Sequence, residues 1–240
     1  MSSLCIYTYY AFLDEVPMTR RKRWLATSSQ YEELIGDQQY KQLLTQYKGK
    51  ILPETHRAAV TVKRVGGRIA QASQKFALDE KLSSASKSPY TYTVVRSDQA
   101  NAFVLPNNHV FVLTGLFKYV KDEDELAAVL GHEVAHNLAR HAGERLSGGI
   151  IVQVVAGILF VMDPSGVLSS LFLPAASILH ELPHSRQQET EADRIGVYLA
   201  ASACYDPRAA ERVFQAMGEG FAAGAPPEFL STHPSNATRI

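Results

Sequence analysis

Two stretches constrain this chain more than anything else in it: Gly131-His132-Glu133-Val134-Ala135-His136, and, far downstream, Glu189-Thr190-Glu191-Ala192-Asp193. The first reads as helix. At about 100° per residue, His132 and His136 fall within roughly 40° of each other on one face. Two imidazoles one turn apart can grip a tetrahedral zinc ion, with Glu133 beside them to take a proton from water. Such a site needs a third ligand, and Glu189 is placed to supply it. Any fold must therefore carry the chain away from the first helix and bring it back. A single membrane crossing between the two stretches is excluded.

Glu189 and Asp193 are four residues apart and share one helical face. That spacing lets Glu189 bind the metal while Asp193 holds a ligand histidine in its tautomer. Two acids on one face are ordinarily a solvated surface. Here the flanking sequence turns apolar at once, at Ile195, Val197, Tyr198 and Leu199. The expected metal set is thus His132, His136 and Glu189 around one Zn2+ per chain, with Glu133 as general base. His141 is the competing ligand. Metzincins place a third histidine ten residues after the first, beyond a glycine; here Ala139 takes the glycine's place and His141 falls at nine. On a continuing helix it points about 180° from His132 and is excluded. His56, His109, His180 and His184 lack ligand spacing and are assigned surface or supporting roles. An oxyanion partner is still required, and His233 and Arg239, near a Pro-containing turn, are the candidates.

The motif helix begins with Asp122-Glu123-Asp124-Glu125, in which Asp122 and Glu125 form a capping box, and is predicted to run to about Arg140. Ahead of it, runs at 90–96, 102–105 and 109–113 read as strands of a small sheet, with a turn at Pro106-Asn107-Asn108. Ala102, Phe103 and Val104 form a candidate edge strand for an extended protein substrate. Helices are predicted over 31–47 and 53–82, where Gly66-Gly67 signals a close approach by another element. A short helical piece follows at 116–120, and further helices at 185–203 and 207–218. Between the two site helices, residues 147–179 carry one charge, Asp163. Each apolar run is about fifteen residues, or roughly 22 Å as helix, short of a roughly 30 Å hydrocarbon core. The stretch predicts a helical hairpin with its tip at Asp163-Pro164-Ser165-Gly166, either buried or dipping into a membrane.

The expected fold class is α+β: a mostly helical, gluzincin-like zincin with a small sheet preceding the motif helix. Residues 1–30 read as a juxtamembrane N-terminal segment and 31–240 as the metallopeptidase domain. In the former, tyrosines precede Arg20-Arg21-Lys22-Arg23-Trp24, a composition that suits a membrane interface or a solvated basic turn. No secretory or transit-peptide pattern is evident in the first thirty residues. With 24 basic and 24 acidic residues, no nucleic-acid partner is expected. Cys5 and Cys204 show no metal or redox spacing and are read as two idle thiols. A homo-oligomer is compatible with all of this.

Several motifs occur together in order: Val16-Pro17-x-Thr19-x-Arg21-x-Arg23, Asn101-Ala102-Phe103-x-x-Pro106, Val112-x-Thr114-Gly115-Leu116, His132-Glu133-x-x-His136, Ser185-Arg186-x-x-Glu189-x-Glu191-Ala192-Asp193-x-x-Gly196 and Thr232-His233-Pro234-Ser235. They resemble the zinc metallopeptidases that include the CAAX prenyl-protein endopeptidases and the bacterial heat-shock protease HtpX. Within these, the chain looks most like the OMA-type proteases of the mitochondrial inner membrane, although it lacks an evident transmembrane anchor. The resemblance implies a metalloendopeptidase of membrane-protein quality control, with its site facing the intermembrane space. It also implies that His233 gates the site or adds a ligand. A soluble periplasmic bacterial-type protease or chaperone is the alternative.

Overall fold

The computed structural model describes residues 7, 9–82, 88–181, 186–222 and 228–233. They form a helix-dominated α+β fold, as the sequence predicts. An antiparallel pair, β1 (Leu13–Glu15) and β2 (Lys22–Trp24), leads into helices α1 (Ser29–Gln46) and α2 (Arg57–Asp79). Strands β3 (Thr91–Val95), β4 (Ala102–Val104) and β5 (His109–Leu113) make a sheet in the order β3-β5-β4. β3 runs parallel to the central β5 and β4 antiparallel, leaving β4 on an edge. A 3-10 turn, Thr114–Lys118, delivers the chain to α3 (Glu123–Leu138). There follow α4 (His141–Met162), α5 (Val167–Glu181), α6 (Arg186–Ser202), α7 (Ala209–Ala222) and the short α8 (Glu228–Thr232).

α3 is the central rod because it is apolar nearly all round. Every residue from Glu125 to His136 is buried, and α2, α6, α7 and β4 pack around it. Its start behaves as a capping box with one altered leg. The Asp122 carboxylate accepts from the Glu125 N–H at 2.8 Å, while Glu125 reaches back to the Lys121 N–H at 2.7 Å rather than to that of Asp122. Its end comes earlier than predicted. Ala139 is the C-cap and Arg140 turns left-handed at φ 51°, so the helix does not continue through His141. Ion pairing of Arg140 with the buried Glu32 at 2.6 Å, and its bond to the Thr27 carbonyl at 2.7 Å, offset the cost of that turn.

α2 offers one apolar stripe, Val62, Val65, Ile69, Ala72 and Phe76, all buried. It begins at Arg57 because a turn at 53–56 precedes it and His56 caps it, accepting from the Ala58 N–H. Of the two glycines in α2, Gly66 faces the Tyr92 ring so closely that a Cβ would lie 2.3 Å from it; Gly67 faces open space. His109 is neither at the surface nor near the site. It is buried in the sheet beside Tyr40, bonded to Thr91 and Thr93, and burial pushes its imidazole down to about 4.

The N-terminal basic cluster is not a solvated turn. Val16 is fully buried in the main core, and Arg23 is buried with partners in Asp14 and the Ala139 carbonyl. The long apolar stretch, by contrast, is not buried. α4 and α5 pack on each other as a hairpin, with Gly166 at φ 79° and Asp163 accepting from the Ser165 and Leu168 N–H groups at the tip. Only the first turns of α4 are seated, through His141, Gly143 and Ser147. Beyond them Ile151, Val154, Ile158, Phe160, Val161 and Met162 face outward, the last two more than 70% exposed. Of the two readings of 147–179, the described side chains answer to an outward-facing hairpin rather than to buried helices. At 22 residues, or about 33 Å, α4 alone has the length and apolar composition to cross a membrane.

Two glycines set the distance between the ligand-bearing helices. A Cβ on Gly196 of α6 would lie 2.9 Å from the His132 nitrogen, and one on Gly131 of α3 would lie 2.9 Å from the Gly196 carbonyl. Both obstacles are backbone, which cannot rotate aside. Gly196→Ala is expected to lose about 1–3 kcal/mol of stability in urea unfolding, as overpacking does. Gly148→Ala, where a Cβ meets nothing within 4 Å, should lose none.

Candidate metal centre and active site

α3 presents His132 and His136 on the face toward α6, and the glycine crossing brings Glu189, in the first turn of α6, directly opposite. The end of α8 adds His233. Four buried residues, His132, His136, Glu189 and His233, thus offer donor atoms that all lie within 4.8 Å of one another. The separations are 3.1 Å between the two Nε2 atoms of α3 and 3.5 and 3.4 Å from these to Glu189. From His233 Nδ1 they are 3.1 Å to Glu189 and 3.3 Å to His132. A tetrahedral zinc with bonds of about 2.0–2.1 Å needs ligand atoms about 3.4 Å apart. The donor set fits that ion.

Each α3 histidine is held by its far nitrogen. His132 Nδ1 meets Asp193 at 2.9 Å, one turn after Glu189 on the same face of α6, as the spacing predicts. His136 Nδ1 meets His141 Nδ1 at 2.8 Å. His141 is absent from the donor group, but the geometric ground for excluding it needs correction. Because α3 stops at Leu138 and the chain turns at Arg140, His141 folds back toward His136 instead of pointing away.

The electrostatics call for positive charge at the centre. Burial lowers the affinity of His132 for a proton, yet the carboxylates of Asp193 and Glu189 outweigh it and push the imidazole up to about 9. Burial likewise opposes ionisation of Glu189, which is fully buried, but bonds to His132 and His233 hold it well below the usual carboxylate range. A divalent cation satisfies that demand. Glu133 behaves oppositely: burial raises it, against the pull of His233 and His132. It approaches His233 Nε2 at 3.3 Å and accepts a backbone hydrogen bond from Val104. Burial holds His141 below its ordinary value, against the pull of Glu191.

A cleft of about 590 Å³ opens on Glu133, His136 and His233 and is walled by Phe103, Val104 and Arg145. Leu113 and Leu105 donate across the β4–β5 pair to Asn101 and His109 at 2.9 and 2.8 Å. By antiparallel alternation, Ala102 and Val104 direct their backbone groups to the other edge of β4. Phe103 and Val104 line the cleft, whereas Ala102 is fully buried and does not. Arg239 lies outside the described residues, as do Cys5, His184, Ser185 and Pro234; of the His180 side chain nothing is described. Sequence reading also missed α8, a helix too short to show a period, and with it the means by which His233 is seated.

Residues 63–240 match the profile of Peptidase family M48. The chain is 37% identical over 238 residues to the mitochondrial metalloendopeptidase OMA1 of Schizosaccharomyces pombe, covering 97% of itself and 66% of that protein. It is 32% identical over 249 residues to the mitochondrial metalloendopeptidase OMA1 of Homo sapiens, covering 99% of itself and 46% of that protein. A putative beta-barrel assembly-enhancing protease of Vibrio cholerae is 31% identical over 163 residues, 64% of this chain and 34% of its own length. The chain thus spans two thirds or less of these relatives. Asp193→Asn should weaken Zn(II) binding about 10- to 100-fold in competition with a chromophoric chelator, with the far-ultraviolet circular dichroism unchanged.

Proposed function

We propose that this chain, which belongs to peptidase family M48, is a zinc-dependent endopeptidase working on membrane-associated or misfolded proteins. The observation that carries the reading is the buried quartet of His132, His136, Glu189 and His233 at zinc-ligand separations, with Glu133 beside it. His132, His136 and Glu189 would hold the ion, and His233, whose Nδ1 lies 3.1 Å from Glu189, could add a further donor. When bound, zinc supplies a Lewis acid that polarises a scissile carbonyl and makes water a better nucleophile near neutral pH.

The protein's own residues do the rest. Glu133, raised by burial, is suited to take a proton from the attacking water and pass it to the leaving amine. The Val104 N–H and the His233 imidazole fix its carboxylate. The free edge of β4, where Ala102 and Val104 direct their backbone groups, is one on which a substrate lies as an added strand, which favours locally unfolded chains over particular sequences. His233 bridges Glu189 and Glu133, so a substrate carbonyl reaches the centre only when that imidazole moves. His233 is therefore a gate as well as a donor. Arg239 stays the other candidate for the oxyanion.

The exposed face of α4 and α5 supports a membrane workplace. Rooted at His141–Ser147, the hairpin leaves about fifteen residues of α4, roughly 22 Å, beyond the body. That length enters a bilayer and returns rather than crossing it. Relatives named as mitochondrial align over nearly the whole chain, and the bacterial one over 64% of it. They favour a mitochondrial setting over a bacterial one, and within it the reading places the chain at the inner membrane with its site toward the intermembrane space.

Glu133→Gln should retain one zinc per chain while cleavage of an unfolded protein falls at least about 100-fold. Full activity in that variant, or cleavage indifferent to a chelator, counts against the enzyme. In flotation with anionic liposomes, the intact chain should rise and one lacking residues 148–179 should not. Equal behaviour of the two removes the membrane from the reading.

A further inference from the structure

The Pro17–Arg23 motif has no place in the chemistry above, yet the structure aims it at the metal centre. The turn between β1 and β2 is held by the Val16 N–H on the Arg21 carbonyl and the Arg20 N–H on the Val16 carbonyl, both at 2.9 Å. Within it Met18 and Arg20, neither a glycine, are left-handed at φ 63° and 57°. Such backbone persists where the surroundings over-determine it. Here it turns Thr19 and Arg21 inward together. Thr19 Oγ1 donates to Glu191 Oε1 at 3.1 Å. Arg21 forks twice: Nε and Nη2 to the two Glu191 oxygens at 2.7 and 3.1 Å, Nη1 and Nη2 to the two Glu144 oxygens at 2.8 Å each.

Glu191 carries the contact onward. Its Oε2 lies 3.0 Å from His141 Nε2, and His141 Nδ1 lies 2.8 Å from His136 Nδ1. Only one proton arrangement leaves His136 Nε2 open to a metal. His136 then donates from Nδ1, His141 accepts on Nδ1 and donates from Nε2, and Glu191 accepts as a carboxylate. Every link is buried or half-buried, away from competing water. His132 Nδ1 meets the carboxylate of Asp193, whereas from His136 Nδ1 the path to Glu191 runs through His141.

We propose that Arg21, Glu191 and His141 form a positioning relay that sets the tautomer and orientation of His136, so that the N-terminal β-hairpin completes the metal centre. The inference rests on the zinc reading above. Because Glu144 and His141 both lie in the first turn of α4, the same arginine ties the root of the apolar hairpin to the metal ligand. A shift of that root would be felt at His136.

The test is Zn(II) affinity by chelator competition, together with the visible absorption of the Co(II)-substituted full chain. Arg21→Met should bind Zn(II) about tenfold or more weakly and alter the Co(II) bands. Arg21→Lys should recover only part of the loss, since an ammonium cannot fork to two carboxylates. Val16→Ala, which opens a cavity in the core but keeps the backbone bonds of the turn and every side chain of the relay, should lower the melting temperature and leave both metal readouts unchanged. Glu191→Gln, nearly isosteric, reads the same step should Arg21→Met fail to fold. Wild-type affinity and spectrum in Arg21→Met, or in Glu191→Gln in that case, overturn the relay. So does an equal loss of affinity in Val16→Ala. Failure of the wild type to take up one zinc would remove the metal centre and the relay together.

Discussion

Charge that is buried must be answered, and the architecture follows from how it is answered here. Glu189 is wholly buried and ionised between three imidazoles, an arrangement that costs several kcal/mol unless a cation or protons balance it. Balance requires donors converging from three separate segments to within hydrogen-bond distance. The Gly131–Gly196 crossing makes that convergence sterically feasible by letting α3 and α6 touch backbone to backbone.

The same requirement explains why α3 is buried on every side. A ligand pair on a surface helix would fray with it, whereas α3 is gripped by α2, α6, α7 and the edge of the sheet. The polar groups this entombs are each given a neighbour: Asp193 for His132, His141 for His136, the Val104 N–H for Glu133. An open cleft runs from the site along β4. Away from this centre the design reverses. α4 and α5 carry their apolar residues outward, a cost that a soluble surface does not normally bear.

Much of this was legible beforehand, for a physical reason particular to helices. The periodicity of 3.6 residues fixes which side chains share a face, so His132 with His136 and Glu189 with Asp193 could be paired from spacing alone. The strands at 90–96 and 109–113, the turn at Asp163–Gly166 and the cap at Asp122 were equally local. Failures came where a local rule was extended too far. His141 was placed by continuing a helix that ends at Leu138, because no proline or glycine announces the left-handed Arg140. The arginines at 21 and 23 were read as part of a membrane interface or a solvated turn, because a charge run carries no mark of the carboxylates it will meet. Gly131 and Gly196 lay inside quoted motifs, but a glycine in a helix does not state which backbone it will touch.

What the sequence alone determined, then, is the chemistry and its local geometry: which residues can bind a cation, which face each occupies, and that the chain must return between them. Only the tertiary structure decided the distances between faces, the approach of His233 to the donor group, and the path from Arg21 through Glu191 and His141 to His136. It also decided that the apolar excursion faces outward rather than in. Side-chain spacing along one helix is set by covalent geometry and can be read from order alone. Contacts between segments depend on how close two backbones come, and here that closeness is set by what is missing at two glycines.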